Sequence, residues 1–181
     1  RDCVDLAARL DAPGAGRMAR RWLGYALLSQ GRAAEANATY EALRREAEAA
    51  GDSREEAYAR LGLGYQALGR GDLTAAREHY ERAVALFDAV GEHAISLDAQ
   101  VGLARTLGAA GHYVEMSRLY ERILADAERA GQARIVGYAL NNLGSYEYQA
   151  GDPGRAVAYW NRALDTKRAG GDPRALVTPT A

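Results

Sequence analysis

The sequence predicts an all-α fold, a solenoid of antiparallel helix pairs. Three observations carry that prediction. Like residues recur in register every 40 positions. Within each period the apolar residues follow helical spacing. Glycine, or aspartate followed by proline, punctuates the chain where such helices would end and restart.

The register opens on Leu23, Leu63, Leu103 and Leu143. Glycine follows at Gly24, Gly64 and Gly144, with Ala104 in the third copy. Eight residues after each leucine stands Gly31, Gly71, Gly111 or Gly151. Thirteen after it comes Ala36, Ala76, Met116 or Ala156, and seventeen after it an aromatic, Tyr40, Tyr80, Tyr120 or Trp160. These columns, in register across four copies, define two helices and a tight turn per unit.

The second copy shows the physical logic. Leu61, Leu63, Ala67 and Leu68 form the apolar stripe of a first helix, which Gly69-Arg70-Gly71 ends. Glycine fits the left-handed position after a helix. Asp72 then stands where a carboxylate can accept from the free N–H groups of the next helix. Asp152-Pro153 repeats the signal, with proline near the first helical position. The second helix runs through Ala76, Tyr80, Ala83, Val84 and Phe87, and Gly91 closes it, like Gly51, Gly131 and Gly170. The small residues beside each leucine let helices approach closely, and the ring at 40, 80, 120 and 160 fills the space between neighbours. Each helix is expected to be about 17–19 residues, roughly 25 Å long.

Composition bounds the function. The 181 residues are 48% apolar and 26% charged, ordinary for a globular chain with a sizeable core. Lys+Arg 23 against Asp+Glu 24 gives a net charge of −1, which leaves no electrostatic footprint for nucleic acid. A single cysteine, Cys3, excludes an internal disulfide framework. No apolar run reaches the ~18 residues of a membrane span, and no stretch has the build of a signal peptide. Lys167 is the only lysine, a bias that suits a high-GC bacterial coding sequence.

The pattern of Leu-Gly, Gly, Ala and aromatic resembles the tetratricopeptide repeat (TPR) over essentially the whole chain. Its period is similar to that of a long-repeat subclass found in bacterial signalling regulators and in Leu-Gly-Asn-type scaffolds. HEAT and armadillo arrays have periods near 40 but lack this register. The resemblance implies a right-handed superhelical array of about ten helices. Full repeats are expected at 13–52, 53–92, 93–132 and 133–171. Residues 2–10 read as the tail of a preceding repeat, and 172–181 as the start of a further one that Pro179 interrupts. The third copy, with Ala104 and Met116, is expected to pack at a slightly altered angle.

No catalytic constellation is legible, and neither metal nor cofactor is expected. His79, His93 and His112 share no ligand spacing, and Cys3 reads as a small buried hydrophobe. Glu55, Glu56, Asp126 and Glu128 sit among arginines at helical spacing, the pattern of solvated, salt-bridged faces. Gly14-Ala15-Gly16 is too short for a phosphate loop. Arg70-Gly71-Asp72 spells an adhesive tripeptide, but its glycine and aspartate are already assigned to the hairpin turn.

In such arrays first helices line the concave face. The resemblance places ligand-facing residues two before the leucine and two, five and six after it. Here these are Arg21, Tyr25, Leu28 and Ser29; Leu61, Tyr65, Leu68 and Gly69; Val101, Arg105, Gly108 and Ala109; and Asn141, Ser145, Tyr148 and Gln149. Asn142 matches the asparagine with which long-repeat relatives hold a peptide backbone, although Trp22, Gly62 and Gly102 do not continue the ladder. The chaperone-tail clamp is absent, its places holding Arg21, Tyr25, Gly62, Asp98 and Gly102. Tyr25 and Tyr65 either line the groove or pack between adjacent first helices.

The expected function is a non-enzymatic interaction module of a larger protein, binding a partner peptide or protein on the concave face. The alternative is a ligand-sensing segment of a bacterial transcription or signalling regulator. Other domains of the same parent chain are further candidate partners, and the exposed ends allow end-to-end self-association. A cytoplasmic location is expected, with no direct nucleic-acid or membrane partner.

Overall fold

The computed structural model describes residues 12–169, and these hold eight α-helices and no strand. First helices are α1 (Pro13–Ser29), α3 (Ser53–Gly69), α5 (His93–Ala109) and α7 (Ala133–Gln149). Second helices are α2 (Ala33–Ala50), α4 (Leu73–Ala89), α6 (Tyr113–Arg129) and α8 (Pro153–Ala169). The expected count of about ten is therefore eight among the described residues. The partial helices assigned to 2–10 and 172–181, with Cys3 and Gly170, lie outside them.

Local chemistry sets these boundaries. Gly71, with φ of 77°, occupies the left-handed region that a side chain would disfavour. Its N–H donates to the Leu68 carbonyl at 3.1 Å, while the Asp72 N–H donates to Ala67 at 3.0 Å, so the last carbonyls of α3 are satisfied. Asp72 in turn accepts from the Ala75 N–H at 3.1 Å and starts α4. Asp52 and Asp152 cap α3 and α8 in the same way, accepting from Glu55 and Arg155. The Arg70-Gly71-Asp72 tripeptide is thus a hairpin turn whose aspartate is already engaged.

The chain divides into two compact units, Arg1–Thr106 and Leu107–Ala181. In the first, Leu27, Ala36, Tyr40, Leu43, Ala59 and Leu63 form one apolar cluster. A second is built on Ala76, Tyr80, Ala83, Leu86 and Phe87, with Tyr58 set edge-on to Phe87 at 5.0 Å. Tyr40 and Tyr80 fill the space between first helices, as the register anticipates. A Cβ added at Gly24 or Gly62 would stand 2.7 or 2.6 Å from the Tyr40 ring. Gly64 and Gly102 hold Tyr80 in the same way, at 3.1 and 2.2 Å. Each ring therefore rests on two glycines, one from its own repeat and one from the next.

In the second unit Tyr120, Ile123, Leu140 and Leu143 are buried, and Trp160 lies against Gly144. Met116 occupies the place that alanine holds in the other repeats, and its sulfur would stand 2.7 Å from a Cβ on Gly108. Gly108 itself replaces the leucine of the first two repeats, Leu28 and Leu68. Large and small have exchanged places, which conserves volume between α5 and α6.

Candidate functional site

The residues expected to face a ligand all lie on first helices, α1, α3, α5 and α7. α3 is covered along most of its length. Between its ends only Tyr65 is exposed, at 56%. Tyr25, one repeat earlier in the same column, is 64% exposed. Both tyrosines therefore present their rings outward and are not interleaved between first helices. Arg105 continues the column on α5 and is also exposed.

Arg21 departs from the expectation. Its guanidinium lies 4.1 Å from the Tyr58 ring centroid and 5.3 Å from that of Trp22, and 3.1 Å from the Glu55 carboxylate. Stacking and ion pairing commit this side chain to the α1–α3 contact, so it is not available to fork a ligand carboxylate. Trp22, read only as a break in the asparagine ladder, is 60% exposed and stands edge-on to Tyr25 at 6.3 Å. It extends the aromatic face of α1. Its signal was a large ring in the column that holds Gly62 and Gly102.

Those glycines also explain why the ladder stops. The column that would carry asparagine is where the rings of Tyr40 and Tyr80 rest, leaving no room for a Cβ at Gly62 or Gly102. Asn142 itself donates from Nδ2 to the Tyr138 carbonyl of its own helix at 2.8 Å. The Ser145 hydroxyl is likewise turned to its own helix, donating to the Asn141 carbonyl at 3.0 Å. The same carbonyl accepts from Trp160 Nε1 at 3.4 Å. Tyr148 is exposed and lies 6.0 Å from Trp160 between ring centroids, and Gln149 is exposed beside it. In the second unit Asn141, Tyr148 and Trp160 form one aromatic-amide cluster.

The carboxylates read as solvated divide into two groups. Asp126 and Glu128 are solvent-accessible, Glu128 pairing with Arg162 at 2.9 Å. Glu55 and Glu56 are instead buried, which corrects the expectation. Burial pushes the Glu55 carboxyl above its ordinary range, against the opposing pull of Arg21. Glu56 accepts from Arg60 Nε at 2.8 Å and from Arg82 Nε at 3.4 Å. Glu147, also buried, pairs with Arg155 at 3.0 Å. These acids are interior struts between helices, each held by arginine.

Among the described residues no group of three or more His, Cys, Asp and Glu could hold a metal ion. His79 is partly buried and its imidazole is held below the ordinary range, first by burial and then by Arg60. His93 and His112 stand at the starts of α5 and α6. No helix among the described residues is long and apolar enough to cross a membrane.

The fold is that of TPR-like helical repeats. Solved structures with the same arrangement include BtubC (BKLC) from P. vanneervenii, at TM-score 0.79 and 19% identity over 93% of this chain and 68% of that one. TPR-like repeats of Podosopora anserina assigned to a kinesin light chain match with TM-score 0.69 and 19% identity, over 92% and 83%. A Rap protein complexed with Competence and Sporulation Factor matches with TM-score 0.72 and 15% identity, over 91% and 45%. The present chain thus spans less than half of that Rap chain. By sequence alone, no family model and no curated protein matches.

Proposed function

We propose that the chain is a non-enzymatic protein-interaction module of a larger, cytoplasmic protein. Its four repeats, 13–52, 53–92, 93–132 and 133–171, are helical hairpins whose first helices take a partner peptide or protein. The observation that carries this reading is the exposure of Tyr25 and Tyr65 in one register column, Tyr65 on a helix that is otherwise covered between its ends. A tyrosine ring offers a large rigid contact with a polar tip at low entropic cost. Arg105 adds a cation that can fork a carboxylate, so the ligand is an extended or helical peptide with some acidic character. In the second unit the same column holds Ser145, and the exposed groups of α7 are Tyr148 and Gln149, with Asn141 and Asn142 nearby.

A second reading is a regulatory segment of a bacterial signalling protein. The Rap structure favours it, since that TPR-like protein is complexed with a factor and this chain covers under half of it. Binding to a peptide library separates the two. Saturable binding by the chain, lost in a Tyr25→Ala/Tyr65→Ala variant and in an Arg105→Ala/Tyr148→Ala variant, establishes a peptide reader. Failure of the unaltered chain to bind any peptide overturns that reading and shifts weight to an internal scaffold or a small-molecule sensor.

A further inference from the structure

The exposure of Tyr65 is not an effect of a chain end. α3 has a first helix on each side, α1 and α5, and a tyrosine ring joins it to each. Cβ positions built on Gly24 and Gly62 lie 2.7 and 2.6 Å from one atom, Cζ of Tyr40. Those on Gly64 and Gly102 lie 3.1 and 2.2 Å from Cε1 of Tyr80. Helices packed in this way run about 8–10 Å apart. Tyr25 and Tyr65 directly follow Gly24 and Gly64, and Arg105 follows Ala104 at the same place on α5. The three exposed side chains are thus one helix spacing apart.

Proteins take up peptides in a few ways, and each needs a different surface. Strand addition needs an open sheet edge, and the described residues hold only helices. A docked helix presses a broad apolar stripe into a groove, with contacts three, four and seven residues apart. α3 offers no such breadth. Between its ends Tyr65 alone is exposed, with Leu61 and Leu68 packed against the core. A polyproline II segment asks for a narrower surface, aromatic rings set at the interval of its own turn. It has three residues per turn at about 3.1 Å each, so one face returns every ~9 Å. That interval matches the spacing of successive first helices. Its backbone makes no internal hydrogen bonds, which leaves carbonyls to accept from the tyrosine hydroxyls.

We propose that Tyr25, Tyr65 and Arg105 read a polyproline II segment of a partner protein. Prolines three residues apart lie on the two rings, and an acidic residue one turn further pairs with the Arg105 guanidinium. This rests on the peptide-binding reading of the same column and narrows it to one backbone conformation and one charge. Proline orders such a ligand before it binds, so less entropy is lost on docking.

The probe is a fluorescein-labelled peptide, Glu-Ala-Pro-Pro-Ala-Pro-Pro-Ala-Pro-Glu, which offers the proline and acid spacing in both chain directions. Its anisotropy is read against the full chain. Saturable binding is expected, about tenfold weaker in an Arg105→Glu variant and lost in Tyr25→Ala/Tyr65→Ala. Circular dichroism of both variants, altered only at exposed positions, should match the unaltered chain. The same peptide with every proline replaced by alanine is expected to bind at least about tenfold more weakly. Equal binding of the alanine peptide, or binding unchanged in the tyrosine variant, overturns the proposal. If the proline peptide fails while a peptide library yields ligands that need Tyr25 and Tyr65, this inference falls and the interaction reading stands. If neither binds, both fall.

Discussion

The ring of Tyr80 and the backbone of Gly102 meet so closely that a Cβ on Gly102 would stand 2.2 Å from the ring. Tyr40 and Gly62 repeat the contact one period earlier, at 2.6 Å. The pair works because helix α3 or α5 must come within a ring's thickness of the preceding second helix. Only a residue without a side chain permits that approach, which is why glycine recurs at 62 and 102.

Gly102→Ala is therefore expected to destabilise the fold by about 1–3 kcal/mol, the usual cost of overpacking. Gly137 has open space at its Cβ and ordinary helical backbone, so Gly137→Ala is expected to gain about 0.5–1 kcal/mol. Urea denaturation of both variants checks the contrast. Equal effects would mean that the ring contact does not set the cost.

Tyr80→Ala removes the whole filler and is expected to cost about 3–5 kcal/mol. A loss below about 1 kcal/mol on the same measurement would show that Tyr80 does not bridge the two helices as described.

Gly108 and Met116 are expected to be coupled. Gly108→Leu alone crowds the Met116 sulfur, and Met116→Ala alone leaves a cavity. The double substitution restores the leucine-over-alanine arrangement of the first two repeats. A double-mutant cycle should return a coupling of about 1–3 kcal/mol. Additive effects would show that the two positions do not share one space.

Arg21 and Arg162 should separate sharply. Arg21→Ala strips a buried carboxylate of its partner and is expected to cost about 3 kcal/mol or more. Arg162, in an exposed pair with Glu128, should cost less than about 1 kcal/mol. Thermal melts of the two alanine variants decide this.

His79 should make stability fall on the acid side of neutrality. Its folded pKa lies below the ordinary value, because burial and then Arg60 oppose the charge, while Glu41 and Glu78 partly compensate and Arg44 adds to the opposition. The unfolded chain then binds the proton more readily, so this contribution is present above about pH 6.5 and lost as pH falls through the lowered folded value. A His79→Gln variant should flatten the slope of stability against pH in that window. An unchanged slope would assign the dependence to other groups.

Much of the architecture was legible because its signals are local. Leu63, Gly71, Asp72 and Tyr80 act within one helical hairpin, so their spacing alone locates the helices and the turn. Asp72 caps α4 whatever lies beyond the repeat, and Gly71 takes its positive φ for the same reason. The exposed tyrosine column at 25 and 65 followed from that register, although its exposure did not.

Sequence could not decide which charges are interior. Glu55 and Asp126 look alike in a run of acids and arginines, yet one is buried against Arg21 and the other is open to solvent. Burial is a property of what the neighbouring helix lays over a residue, and that depends on contacts between residues far apart in the chain. The sequence by itself therefore determined the repeat, its caps and its helical hairpins. Only the tertiary structure decided that Arg21 is a strut, that Gly62 and Gly102 are ring seats, and that Trp160 is only partly buried.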